Sequence, residues 1–156
     1  MTTRHQIDEF LALKRLAVVG VSRDPKHFSQ ALWKELRQRR YDVVPVNPAM
    51  NEFGGRPCMA RVQDIQPPVD GVVILTRSQV TATVVHDCAD AGVTHVWMHR
   101  GAGGGPGAVS QSAVEFCEAH GIDVVAGYCP FMFLPGTPVF HGLHAGWKKL
   151  TRSYPH

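Results

Sequence analysis

Short, valine-rich apolar runs alternate along the chain with segments whose apolar residues recur every fourth position. The runs at 16–21, 42–46, 71–76, 95–99 and 123–126 are apolar almost without alternation. That is the pattern of parallel strands covered on both faces. Between them, Phe28, Leu32 and Leu36 share one helical face, as do Val80, Val84 and Cys88, and then Val109, Ala113 and Phe116/Cys117. An amphipathic helix is expected over 4–13. Ser78 is placed to cap the second of the periodic helices, and Gly92 and Gly121 to end the second and third.

This alternation predicts right-handed crossovers and an α/β, Rossmann-like, doubly wound parallel sheet of about five strands with helices on both faces. The whole chain, 1–156, reads as one domain. Residues 129–156 form an ordered C-terminal extension: a Pro/Gly/aromatic crossing loop, then a short helix at 141–150.

Composition narrows the class. Hydrophobic residues are 44% and charged residues 19%, ordinary for a globular protein in water. A net charge of +3 suits an anionic small ligand but is too weak to argue for nucleic acid. No secretory signal and no membrane-length apolar run is present, so a cytoplasmic protein is expected. The four cysteines are widely spaced and form no C-x-x-C pair, which reads as free thiols in a reducing compartment. No pattern points to a protein partner.

In an open parallel sheet the ligand crevice lies beyond the carboxyl ends of the strands, where the winding direction switches. That gathers Gly20 to Lys26, Val46 to Pro48 and Thr76 to Ser78. Gly20 permits a tight turn and close approach to a diphosphate, and amides opening the next helix can donate to anionic oxygens. Ser22 and Ser29 add hydroxyls; Arg23 and Lys26 add charge. The competing reading is an ordinary βα loop. At the tip of the second strand stands Asn47, where a dinucleotide site places a carboxylate for the ribose hydroxyls. An uncharged tip beside a basic loop fits a phosphorylated ribose, either NADP or coenzyme A. Asn47-Pro48 also serves simply as a turn, and the two roles are compatible.

The series Val19-Gly20-Val21-Ser22-Arg23-Asp24-Pro25-Lys26, then Ser29, then Pro45-Val46-Asn47-Pro48 resembles the small CoA-binding-domain proteins. These are similar to the N-terminal CoA-binding domain of the succinyl-CoA synthetase α subunit. The likeness continues through Val69-Asp70-Gly71, Trp97-Met98 and Gly127-Tyr128-Cys129-Pro130. It implies that Gly20, Ser22, Arg23 and Lys26 contact the CoA phosphates, with Val21, Ser29 and His99 counted among the cofactor-binding residues. It further implies that Val46, Asn47 and Pro48 flank the adenosine, and that Leu75, Thr76 and Arg77 line the pantetheine path. His99 stands where relatives carry Gln, and the glycine tract 101–107 after it is a further departure.

The resemblance implies binding of CoA or an acyl-CoA without catalysis. The synthetase needs a second domain with a phosphorylated histidine and a partner subunit, which 156 residues do not accommodate. One alternative is an NADP-linked oxidoreductase, or a module of one, with His99 as proton donor. Another is a regulatory or interaction module that docks through the Pro/Phe/Met-rich stretch 129–138. The glycine tract reads as a lengthened loop in preference to an anion nest, and Cys129 as a buried thiol in preference to a partner for the pantetheine sulfur. His141 and His144, with no third ligand in reach, are not read as a metal site, and no other metal site is expected.

Overall fold

A computed structural model of the protein describes residues 2–101 and 105–135. Helix α1 (Arg4–Leu11) opens the chain, held by a reciprocal cap between Thr3 and Gln6. Then follow β1 (Arg15–Val19), α2 (Phe28–Gln38) and β2 (Asp42–Val46), and a two-stranded hairpin of β3 (Glu52–Phe53) and β4 (Arg56–Pro57). The rest alternates: β5 (Gly71–Ile74), α3 (Ser78–Asp90), β6 (His95–His99), α4 (Gln111–Ala119) and β7 (Asp123–Tyr128). A short 3-10 turn, Pro130–Met132, closes the described part. The expected helix at 141–150 and the pair His141 and His144 lie outside the described residues.

The main sheet has five parallel strands in the order β2-β1-β5-β6-β7. Winding runs outward from β1 to β2, then reverses from β1 to β5, so the switch point lies between the carboxyl ends of β1 and β5. The expected Rossmann-like sheet is therefore the one observed. Two apolar layers sandwich it. Val84, Val85 and Cys88 of α3 and Ala113 and Cys117 of α4 cover one face. Ile7 and Phe10 of α1 and Leu32, Trp33 and Leu36 of α2 cover the other, around Trp97. Phe131, Met132, Phe133 and Leu134 are buried in this second layer. That part of the Pro/Phe/Met stretch closes the core and is not a free docking surface.

Three local expectations shift. Strands β1 and β5 end two residues earlier than their apolar runs, because Gly20 and Thr76 already belong to the turns. Ser78 is not the cap of α3: Arg77 holds the extended cap position without a side-chain cap bond, and Ser78 is the first helical residue. The hydroxyl that ties this end is that of Thr81, donated to the Arg77 carbonyl at 3.2 Å. The third periodic helix begins at Gln111, where the Ser110 hydroxyl accepts from the Ala113 amide, so Val109 precedes it. Gly92 and Gly121 do stop their helices, with φ of 75° and 68°. Among the described residues no helix is long and apolar enough to cross a membrane.

Candidate functional site

At the switch point the end of β1 meets the end of β5. Gly20 has φ 96°, and a Cβ there would stand 3.1 Å from both the Leu75 carbonyl carbon and the Thr76 amide nitrogen. The glycine is needed for this backbone approach whether or not a ligand is bound. Its amide donates to the Val46 carbonyl at 3.0 Å, which joins the turn to the tip of β2 as well.

Asn47 continues that junction. Its Nδ2 donates to the Val21 carbonyl at 2.8 Å and its Oδ1 accepts from the Ala49 amide at 2.8 Å. Both polar ends of the side chain are spent on backbone, so Asn47 shapes the tip of β2 and holds the glycine turn beside it.

The basic loop is also organised from within. The Ser22 amide donates to the Ser29 hydroxyl at 2.9 Å, the Asp24 amide to the Ser22 hydroxyl at 3.1 Å, and the Lys26 amide to the Asp24 carboxylate at 2.9 Å. His27 caps α2 by accepting from the Ser29 amide at 3.1 Å. Ser29 is fully buried. These amides and the Ser29 hydroxyl thus support the loop, and residues 23–26 are exposed, with Arg23 and Lys26 as its cations and Asp24 as its one carboxylate. Arg23 reaches the β2 tip electrically: its charge acts on Cys58, whose thiol donates to the Asn47 carbonyl at 3.7 Å. Burial still wins there and raises the Cys58 pKa.

Below the turn lies a cleft of about 310 Å³ between β1, β2 and α3. Of the residues singled out from sequence, Gly20, Val46, Asn47, Pro48 and Thr76 line it. Its far wall comes from one face of α3, including Val80, Val84 and Asp87. Val80 is 47% exposed, which leaves an apolar edge at the mouth. Arg61 closes one end by pairing with Asp87 at 2.6 Å, a contact that holds its guanidinium more firmly protonated. Arg61, Val80 and Asp87 were not among the sequence candidates. Spacing of i and i+7 from Val80 to Asp87 was the available signal for the wall; Arg61 gave none.

The other candidates fall elsewhere on the same edge. Val21 is buried with the α2 layer, Leu75 is half-buried there, and Arg77 is exposed at the start of α3. His99 is half-buried at the end of β6, with its ring stacked on Phe28 at 4.2 Å. Gly107 passes so close that a Cβ would stand 2.6 Å from the His99 carbonyl oxygen. In the glycine tract this residue therefore has a packing role; residues 102–104 lie outside the described part.

The chain resembles several proteins over this same region. It is 27% identical over 116 residues to the uncharacterized protein YneT of Bacillus subtilis, covering 74% of this chain and 82% of that one. It is 29% identical over 80 residues to an ADP-forming acetate–CoA ligase of Methanocaldococcus jannaschii, which covers 51% of this chain but only 11% of the ligase. Among solved structures, a hypothetical protein from Pyrococcus horikoshii superposes with a TM-score of 0.76 at 28% identity, covering 83% of this chain and 87% of that one. A dinucleotide-forming acetyl-coenzyme A synthetase of Ca. Korarchaeum cryptofilum superposes with a TM-score of 0.64 at 28% identity, over 73% of this chain and 25% of the synthetase. The family model described as "CoA binding domain" matches residues 14–135, which takes in every strand of the sheet, the glycine turn and the cleft: the chain belongs to the CoA binding domain family.

Proposed function

We propose that this protein binds coenzyme A or an acyl-CoA, with the adenosine end in the cleft beneath Gly20 and the phosphates facing Arg23 and Lys26. The observation that carries this reading is the junction at the switch point. Gly20, Asn47, Pro48 and Thr76 converge on a mostly apolar cleft, and Arg23 and Lys26 are exposed in the loop that follows Gly20. A volume of about 310 Å³ suits a purine and part of its sugar. No carboxylate stands at the β2 tip to repel a ribose phosphate. The ADP-forming ligases that share this domain act on CoA by name, which adds support for the ligand class. Leu75 and Arg77 would then flank the pantetheine, and His99 with Phe28 would border the path further along the edge. Binding, and not catalysis, is the role this site supports, because the chemistry-bearing side chains at the junction are already engaged with backbone.

Calorimetric titration of the full chain with CoA, dephospho-CoA and NADPH tests the proposal. CoA should bind saturably, and dephospho-CoA more weakly by at least tenfold. Saturable binding of NADPH in preference to CoA would favour the oxidoreductase alternative, and no binding of any of the three at millimolar concentration would sink the assignment.

A further inference from the structure

The opposite edge of the sheet carries a second constellation. His95 is the first residue of β6 and Asp123 the first of β7, and the two are register partners. Glu9 reaches the same point from α1. One ligand atom from each of Glu9, His95 and Asp123 lies within 4.8 Å of the other two.

We propose that Glu9, His95 and Asp123 hold a divalent transition-metal ion of the zinc type, which clasps α1 onto the amino ends of β6 and β7. The spacing of His95 and Asp123 fits such an ion better than it fits a direct hydrogen bond. His95 Nε2 lies 3.6 Å from Asp123 Oδ2, long for a hydrogen bond. Two ligands each ~2.0–2.1 Å from a tetrahedral zinc stand roughly 3.3 Å apart, so only a small adjustment seats both. The imidazole is oriented for the task. Its Nδ1 is 2.8 Å from the Thr94 hydroxyl, which leaves Nε2 as the nitrogen aimed at the two carboxylates. Thr94 is itself anchored by donating to the Asp70 carbonyl at 3.4 Å.

The donor set is one imidazole and two carboxylates, which selects zinc, cobalt or nickel over the hard alkaline-earth ions that favour all-oxygen cages. The two carboxylates also offset the charge of the ion. His5, one helical turn before Glu9, has its Nε2 3.3 Å from the Glu9 carboxylate. Glu9 precedes residue 14, where the family match begins, while His95 and Asp123 lie within it, so the clasp would tie the leading helix to the CoA-binding unit. It also lies at the edge of the sheet remote from Gly20 and Asn47, and it stands independently of the proposed CoA site.

Titration of metal-free full-length protein with Co²⁺, followed by zinc displacement, is the test. Wild type should show saturable visible d–d bands from a nitrogen–oxygen site, without the intense near-ultraviolet band of thiolate ligation, and zinc should abolish them. Zinc at a hundredfold excess over its Kd should raise the melting temperature by roughly 5–10 °C. His95→Ala and the near-isosteric Glu9→Gln and Asp123→Asn should each weaken binding at least tenfold, while their metal-free melting temperatures certify folding. Unchanged cobalt affinity in folded Glu9→Gln and Asp123→Asn proteins, a thiolate band, or no site tighter than millimolar would each overturn the proposal.

Discussion

Asn47 and the Val21 carbonyl are joined by a hydrogen bond of 2.8 Å across 26 positions of sequence. It fixes the tip of β2 to the turn that follows β1, the two pieces that frame the proposed adenosine site. Replacing Asn47 by Ala removes this bond and the one from the Ala49 amide, a loss of about 1–3 kcal/mol in folding stability. Asn47→Asp keeps an acceptor for Ala49 but turns a carboxylate toward the Val21 carbonyl. It should destabilise at neutral pH and recover partly as the carboxylate protonates. Urea denaturation at two pH values checks both variants.

Gly20→Ala is expected to be worse for its size. The new methyl group meets the Leu75 and Thr76 backbone at 3.1 Å, and the residue must still hold φ 96°. Strain of this kind costs about 1–3 kcal/mol, and relief requires β1 and β5 to part at the cleft. A lower urea midpoint together with weaker CoA binding is the expected pair of results. Loss of affinity at unchanged stability would mean that the glycine serves the ligand alone.

Most of the fold was legible because valine-rich unalternating runs report burial on both faces, and all five strands of the sheet come from such runs. The hairpin of β3 and β4 was not, since two-residue strands have no periodicity. Its signal was Gly54-Gly55 between Phe53 and Arg56, a pair that takes the positive φ values of a tight hairpin turn. At the candidate site, residue types pointed to one edge of the sheet, but which bonds Asn47 and Ser29 make depends on carbonyls and amides distant in sequence. Ser29 looks like a ligand hydroxyl in sequence, and in the fold it is a buried acceptor for the Ser22 amide. The wall from α3 was hidden for another reason. Val80 and Val84 read as core positions, whereas Val80 stands half-exposed at the mouth of the cleft.

Arg23 and Lys26 carry the electrostatic part of the proposal. Both side chains are exposed, so Arg23→Ala with Lys26→Ala should leave the melting temperature nearly unchanged. CoA affinity should fall by about 1.5–3 kcal/mol for each charged hydrogen bond lost, and its dependence on salt should flatten. Calorimetry at two ionic strengths measures both. Unaltered affinity would move the phosphates away from this loop.

Acid sensitivity should have one identifiable source at the far end of β2. Hydrogen bonding from Arg56, reinforced by Arg15, holds the Asp42 carboxyl below its ordinary pKa against a smaller opposing effect of burial. The arginines lie 2.6 Å and 2.5 Å from its two oxygens. A carboxyl with a lowered native pKa stabilises the fold above its unfolded value of about 3.9, and that contribution disappears as pH falls through the native value. Asp42→Asn should therefore be less stable than wild type at pH 7, with the gap closing below pH 4. A gap that persists in acid would assign the effect to packing. The pair is half in solvent, so the difference should be small and should shrink in high salt.

Thiol chemistry tests the packing between the helices and the tip of β2 together. Cys88, Cys117 and Cys129 are buried, and Cys58 is half-buried. Burial pushes the Cys117 thiol up to about 11 and raises that of Cys88 further, so neither holds useful thiolate at neutral pH. Cys58 is raised too, yet its sulfur is reachable beside the Asn47 carbonyl. Native protein should thus show one slowly titrating thiol with a disulfide reagent at pH 8, against four in denaturant. Saturating CoA should slow that reaction further, because the ligand would cover the β2 tip on which the Cys58 thiol rests. Rapid modification of two or more thiols in the native state would show that α3 and α4 open readily over the sheet. A Cys58 rate indifferent to CoA would place the ligand away from Asn47.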